Sequence, residues 1–193
     1  MQTISYAEAA TPPRYRRQVI ALQHEAWPTE DAAARQVDGL THDPELRPVS
    51  VLLVEDGTVL AALDILSRQI AHAGRHFLAG GLSTVVTRSE MRGQGLGRQL
   101  VAAAREMMAA GALDLGLFTC DRPLRAFYES AGWQPLPGAV LVGGTRQSPF
   151  PSDRPGFDKV TMADFFSAEG RRHRSAFEQA RIELYPGEID RLW

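Results

Sequence analysis

The stretch that most limits what this chain can fold into runs Val85-Val86-Thr87-Arg88-Ser89-Glu90-Met91-Arg92-Gly93-Gln94-Gly95-Leu96-Gly97-Arg98. It reads as a β-branched strand, a short turn, and glycines at the start of a helix. Helix starts present unpaired N–H groups and the positive end of a dipole, so they attract anions. Gly93, Gly95 and Gly97 have no side chain to keep a phosphate away from the backbone, and Arg92 and Arg98 add cationic donors. A Walker loop is excluded, because no lysine and hydroxyl follow the glycines. A dinucleotide-binding turn is excluded by the glycine spacing and by the hairpins expected before it.

Those hairpins lie just upstream. Val49–Glu55 reads as a strand, Asp56-Gly57 as a hairpin turn and residues 58–68 as the returning strand. The segment 72–76, His-Ala-Gly-Arg-His, reads as a second turn, followed by a strand through Thr87. Downstream, residues 95–110 predict a helix with Leu96, Leu100, Ala103 and Met107 on one face, and Val101, Ala104 and Met108 beside them. A strand over 113–119 follows. The next helix is expected to be capped by Asp121, to hold Pro123 in its first turn and to end near Gly132. Strands are expected near 2–7, 138–142 and 157–163. Further helices are expected from Pro13 (with Tyr15, Val19, Leu22 and Ala26 inward), over 29–38 with Thr29 as cap, and over 167–183. The result is an α/β (α+β) protein with a mixed, mostly antiparallel sheet flanked by helices.

Composition removes other classes. Lys plus Arg total 21 against 23 Asp plus Glu, a net charge of -2, so a general nucleic-acid binder lacking any basic excess is disfavoured. Lys159 is the single lysine, a bias that codon composition also explains. Cys120 is the only cysteine and reads as a small buried apolar residue rather than a nucleophile. The five histidines are scattered without metal-ligand spacing, so no metal site is expected. No apolar run is long enough to span a membrane, and the first residues lack the pattern of a secretion signal. A cytoplasmic protein is therefore expected, a homodimer remaining open.

The pattern Arg92-x-x-Gly95-x-Gly97 resembles the pyrophosphate turn of the GNAT superfamily of N-acetyltransferases. The second signature of that family is similar to Arg125-Ala126-Phe127-Tyr128-Glu129-Ser130-Ala131-Gly132-Trp133. The resemblance covers roughly residues 49–133. It implies a splayed sheet and acetyl-coenzyme A as cofactor. It also implies direct acetyl transfer to an amine in a ternary complex. By the same resemblance, Val85, Val86 and Thr87 lie along the pantetheine arm. Arg92, Gly93, Gln94, Gly95, Leu96, Gly97 and Arg98 hold the pyrophosphate, and Tyr128 returns a proton to the leaving thiolate. Many members carry a glutamate base on the strand before the turn, but residues 82–88 here contain no carboxylate, and Ser83 stands in that place. Asp64, alone in an apolar strand, either faces solvent or serves the site. A water chain held by Ser83 or Thr84 is the other candidate for the base.

A closer resemblance, to bacterial aminoglycoside 2'-N-acetyltransferases, rests on Arg92-Gly93-Gln94, Tyr128, Gly132-Trp133 and Trp193. Residues 183–193, with Glu183, Glu188, Asp190 and the terminal carboxylate, read either as a solvated tail or as the lining of a pocket for a cationic small-molecule amine; the resemblance implies that the Trp193 carboxylate helps bind that amine. Asp64, Asp190 and Trp193 are thus the candidate substrate-binding residues. The expected organisation is an acetyltransferase domain over 1–166, with a helix and tail over 167–193 on or near the acceptor site. The basic run Arg171-Arg172-His173-Arg174 reads as a solvated helix face. Two other functions fit the same residues. One is acetylation of a peptide or protein N-terminus. The other is a non-catalytic acyl-CoA sensor, which would keep the turn but not need Tyr128.

Overall fold

The computed structural model describes residues 1–28 and 40–193. The helix expected over 29–38, with its Thr29 cap, lies outside the described residues.

Two tight hairpins organise the first half. β2 (Val49–Glu55) turns into β3 (Thr58–His72) at Asp56-Gly57, where φ is +47° and +77°. β3 turns into β4 (Arg75–Thr87) at Ala73-Gly74, with φ of +48° and +73°. Paired positive φ values match the twist of antiparallel strands and close each hairpin in two residues. β1 (Gln2–Ala7) pairs with β2 at the outer edge. α1 (Pro13–Ala26) buries Tyr15, Val19 and Leu22 against Leu52, Val54, Ala62 and Val86, as the helical spacing predicts.

α2 (Leu96–Ala110) follows β4 and leads to β5 (Leu115–Asp121). Its inward stripe is Leu96, Leu100, Val101, Ala104 and Met108. Ala103 and Met107 lie half-buried at its edge, a small rotation from the expected face. Asp121 does not cap the following helix with its side chain; it pairs with Lys159 Nζ at 2.6 Å. A single 3-10 turn (Arg122–Leu124) containing Pro123 precedes α3 (Arg125–Ser130).

The main sheet has the order β1-β2-β3-β4-β5-β9-β6, with β6 at Gln134–Pro135 and β9 at Lys159–Phe165. Every neighbouring pair is antiparallel except β4–β5. That parallel pairing is confined to Ala79–Leu115 and Gly80–Gly116. Beyond it the strands part, and β4 from Gly81 to Thr87 has no strand partner on its β5 side among the described residues.

Residues 167–183 depart from the single helix expected. They form α4 (Ala168–Arg172), α5 (Arg174–Phe177) and β10 (Arg181–Glu183). Gln179 turns the chain with φ +53°, and β10 then pairs in parallel with β7 (Val140–Gly144), which also pairs with β8 (Pro149–Pro151). Burial of alternate residues Ile182 and Leu184 outweighs helix propensity there. Segment 167–193 shares a core with the sheet: Phe177, Ile182, Leu184 and Leu192 pack with Phe77, Ala79, Leu115 and Leu117. The basic run is a paired surface, with Arg172 and His173 on Glu169 and Arg174 near Glu178.

Candidate active site

The site starts from the unpaired edge of β4. In a strand, alternate residues direct N–H and C=O groups to each side, so a strand that loses one neighbour offers a row of free donors and acceptors. On β4 this row includes Val85 and Thr87. Val86 puts its side chain under α1. The Thr87 carbonyl accepts from Arg92 Nε at 3.1 Å.

A 3-10 turn (Ser89–Met91) leads into the glycine turn. Gly93 and Gly95 both have φ of +80°, and a Cβ on either would meet nothing within 4 Å. Both therefore stand open to a ligand while holding a conformation that side chains resist. Gly97 differs. Its missing Cβ would lie 2.9 Å from Thr87 Oγ1, so it seats α2 against β4 and does not face the ligand side. The first helical bond runs from Gln99 N–H to Gly95 C=O at 3.0 Å. The N–H groups of Leu96, Gly97 and Arg98 are thus left for an anion. Gln94 is exposed and Leu96 buried. Arg92 braces the turn through Thr87 and lies 4.0 Å from Glu25, whereas Arg98 is exposed. The donor set matches a pyrophosphate, and the open edge of β4 matches an amide-bearing arm.

Tyr128 comes from α3 and reaches this region from the α2 side of the sheet. Its ring lies edge-on to Phe118 and Phe127, each at 4.9 Å. It is 7% exposed, and its hydroxyl has no protein partner among the described residues. Burial pushes its phenol well above the ordinary range, so it stays protonated at neutral pH and can donate. Cys120 is buried on β5, and burial raises its thiol to about 11, consistent with an inert core residue.

The opposite face carries a cluster that the histidine spacing did not reveal. Of the two alternatives the sequence left for Asp64 on β3, facing solvent is not the one the fold adopts: it is 3% exposed. Its Oδ1 accepts from Ser50 Oγ and its Oδ2 from Thr84 Oγ1, both at 2.6 Å. His42 Nε2 lies 3.2 Å from Asp64 Oδ2, and His42 Nδ1 donates to Asp190 Oδ1 at 2.6 Å. The Asp43 N–H closes on Asp190 Oδ2 at 3.0 Å. Burial by itself would discharge His42, but Asp190 and Asp64 outweigh it and raise the imidazole to about 10. The cluster is therefore a buried cation between two carboxylates. Asp190 has both oxygens engaged here, so it acts as a clasp and is not open to an amine, as a substrate ligand would be.

Ser83 faces Asp64 across the ladder, and the register slips by one residue between this pair and Ala62–Val86. The extra residue is accommodated at Thr84, whose φ of +49° is rare for a β-branched side chain. The Thr84–Asp64 bond holds this bulge at the mouth of the open slot. The Ser83 hydroxyl makes no bond to another described residue. Glu183 pairs with Arg146 on the surface, 3.2 Å away. The structure thus gathers Ser83, Thr84, Asp64, His42 and Asp190 on one face, with Trp193 packed against Gly81 nearby. Only His42 was absent from the sequence reading.

Comparison with known proteins agrees with this architecture. The model of the acetyltransferase (GNAT) domain matches residues 9–136. An aminoglycoside 2'-N-acetyltransferase of Mycolicibacterium fortuitum is 28% identical over 86 residues, which are 45% of this chain and 44% of that protein. The match therefore spans less than half the length of that relative. Among solved structures, the GNAT family N-acetyltransferase YhbS from Escherichia coli, in complex with CoA, aligns with a TM-score of 0.64 at 18% identity. That alignment covers 96% of this chain and 91% of that one. An aminoglycoside 6'-acetyltransferase type Ii aligns with a TM-score of 0.60 at 19% identity, covering 86% of this chain and 98% of that one. No described helix is long and apolar enough to cross a membrane.

Proposed function

Because the chain belongs to the GNAT family of acetyltransferases, we propose that it transfers an acetyl group from acetyl-coenzyme A to a primary amine of a small molecule, by direct attack in a ternary complex. The observation that carries this is the continuous path from the unpaired edge of β4 to the free N–H groups at the start of α2. When bound, acetyl-coenzyme A supplies an activated thioester. The turn from Arg92 to Arg98 holds the pyrophosphate through backbone donors, with Arg98 adding charge. The edge at Val85–Thr87 orients the pantetheine arm, and its N–H groups polarise the thioester carbonyl.

Tyr128, kept protonated by burial, donates to the departing thiolate. Ser83, whose hydroxyl has no partner among the described residues, holds a water that takes the proton given up by the attacking amine and passes it to solvent. Asp64 is held in place by the Ser50 and Thr84 hydroxyls, with His42 3.2 Å away. Two carboxylates around one imidazolium leave the cluster net negative, which favours a cationic acceptor. An aminoglycoside-like polyamine is the acceptor class this points to, in keeping with the relative that acts at a 2'-amino group.

The test is release of coenzyme A thiol from acetyl-CoA in the presence of an aminoglycoside, a polyamine and a peptide with a free N-terminus. Turnover with a 2'-amino aminoglycoside is expected. Turnover with the peptide alone would replace the acceptor. Acetyl-CoA binding without turnover on any amine would leave a sensor in place of an enzyme.

A further inference from the structure

The slot between β4 and β5 has a narrow end, and one side chain fills it. Strand alternation puts Phe77 and Ala79 of β4, and Leu115 and Leu117 of β5, on one face of the sheet, in one core cluster. Leu82, Phe118 and Cys120 lie on the other face, in a second cluster with α2. Trp193 packs against both clusters. A side chain can touch both faces only where the sheet is open, and the sheet opens just beyond Gly80–Gly116.

The position of the indole agrees. A Cβ on Gly81 would lie 2.6 Å from Trp193 Cδ1 and Nε1, and 2.6 Å from the Leu117 carbonyl. The ring therefore occupies the space a side chain at position 81 would need, at the first residues where β4 and β5 part. Its Nε1 is buried and has no hydrogen-bond partner among the described residues. The segment carrying it is fixed from several sides. Gly144 N–H donates to Arg191 C=O at 2.9 Å, Leu192 is buried, and the Asp190–His42 pair clasps the segment to residues 42–43.

We propose that Trp193 is the depth stop of the acyl slot and sets the length of acyl chain the protein accepts. This rests on the reading above that the slot takes the thioester end of acyl-coenzyme A. An acyl group longer than acetyl, directed toward the narrow end, meets a flat ring that cannot retreat, because the clasp and the buried Leu192 hold its backbone. Overpacking a rigid apolar end is costly, so the slot discriminates by chain length.

The test is calorimetric binding of coenzyme A, acetyl-CoA, butyryl-CoA and hexanoyl-CoA to the full chain, needing no amine acceptor. The wild type is expected to bind hexanoyl-CoA at least about tenfold more weakly than acetyl-CoA, in line with the discrimination a methylene provides in a closed pocket. Trp193→Ala is expected to bring that ratio to near one or to reverse it. Trp193→Phe, which keeps an aromatic ring on the same core, is expected to admit butyryl-CoA and still exclude hexanoyl-CoA. It decides the matter if the alanine variant does not fold. Equal affinity of the wild type for acetyl- and hexanoyl-CoA overturns the proposal, as does unchanged discrimination in the folded variants. Coenzyme A that binds well with no dependence on chain length removes the depth stop alone. No binding of coenzyme A to the wild type removes the cofactor reading with it.

Discussion

The two halves of the site are built from different materials. The glycine turn is exposed and made from consecutive residues, and what it offers is backbone N–H groups. The Asp64–His42–Asp190 cluster is buried and made from side chains far apart in the chain, and it works through charge. Changes in the turn should therefore cost ligand affinity first, with a smaller loss of stability than changes in the cluster. Changes in the cluster should cost stability first.

The largest expected effect tests the second half of that contrast. His42→Ala removes the cation and leaves two buried carboxylates facing each other. Breaking a buried pair in this way costs about 3–5 kcal/mol, to be read as a fall in unfolding free energy in urea. The same histidine predicts a pH dependence. Its folded value is about 10 against an ordinary 6.5, so its stabilisation is fully present below pH 6.5 and is lost as pH rises toward 10. Unfolding curves across that window should show stability falling with pH in the wild type, with a flatter profile in His42→Gln. An unchanged slope would show that the imidazole is not charged.

Gly95→Val tests the first half. A β-branched residue at φ +80° is strained, and its side chain would stand where the anion approaches. Coenzyme A affinity should fall roughly 10- to 100-fold because the side chain blocks the approach to the helix start, while the strain itself costs ~1–3 kcal/mol of stability, less than the loss of His42. A melting temperature that falls as far as in His42→Ala would erase the distinction between the two regions. Tyr128→Phe carries the smallest expected effect on stability, because it removes one oxygen from a well-packed ring. Turnover should fall about 100-fold, at the low end of the range for loss of a general acid, while coenzyme A binding is retained. Equal turnover in both proteins would return Tyr128 to a packing role beside Phe118 and Phe127.

What was legible in the sequence follows the same division. Hairpin turns at Asp56-Gly57 and Ala73-Gly74, α2 and the glycine turn depend on neighbouring residues, and each formed where local chemistry placed it. Asp64 was visible as an anomaly, an acid in an apolar strand, but its burial was not, because Ser50, Thr84 and His42 come from other segments. His42 was invisible as a site residue, since its hydrogen-bond partner Asp190 lies 148 positions away. Residues 181–183 were misread as helix although Arg181-Ile182-Glu183-Leu184 alternates, because the strand forms only where β7 offers an edge.

The sequence by itself determined the glycine turn, because a backbone that must reach positive φ at positions 93 and 95 demands glycine there, and the helix formers behind it set α2. Its spacing to Tyr128 and Gly132-Trp133 was enough to indicate the family. Only the tertiary structure decided what faces the other end of the slot. A buried imidazolium exists only where folding brings two carboxylates to it, and Trp193 can lie against Gly81 only because β4 and β5 part there. Both depend on contacts between distant segments, which local propensity does not encode.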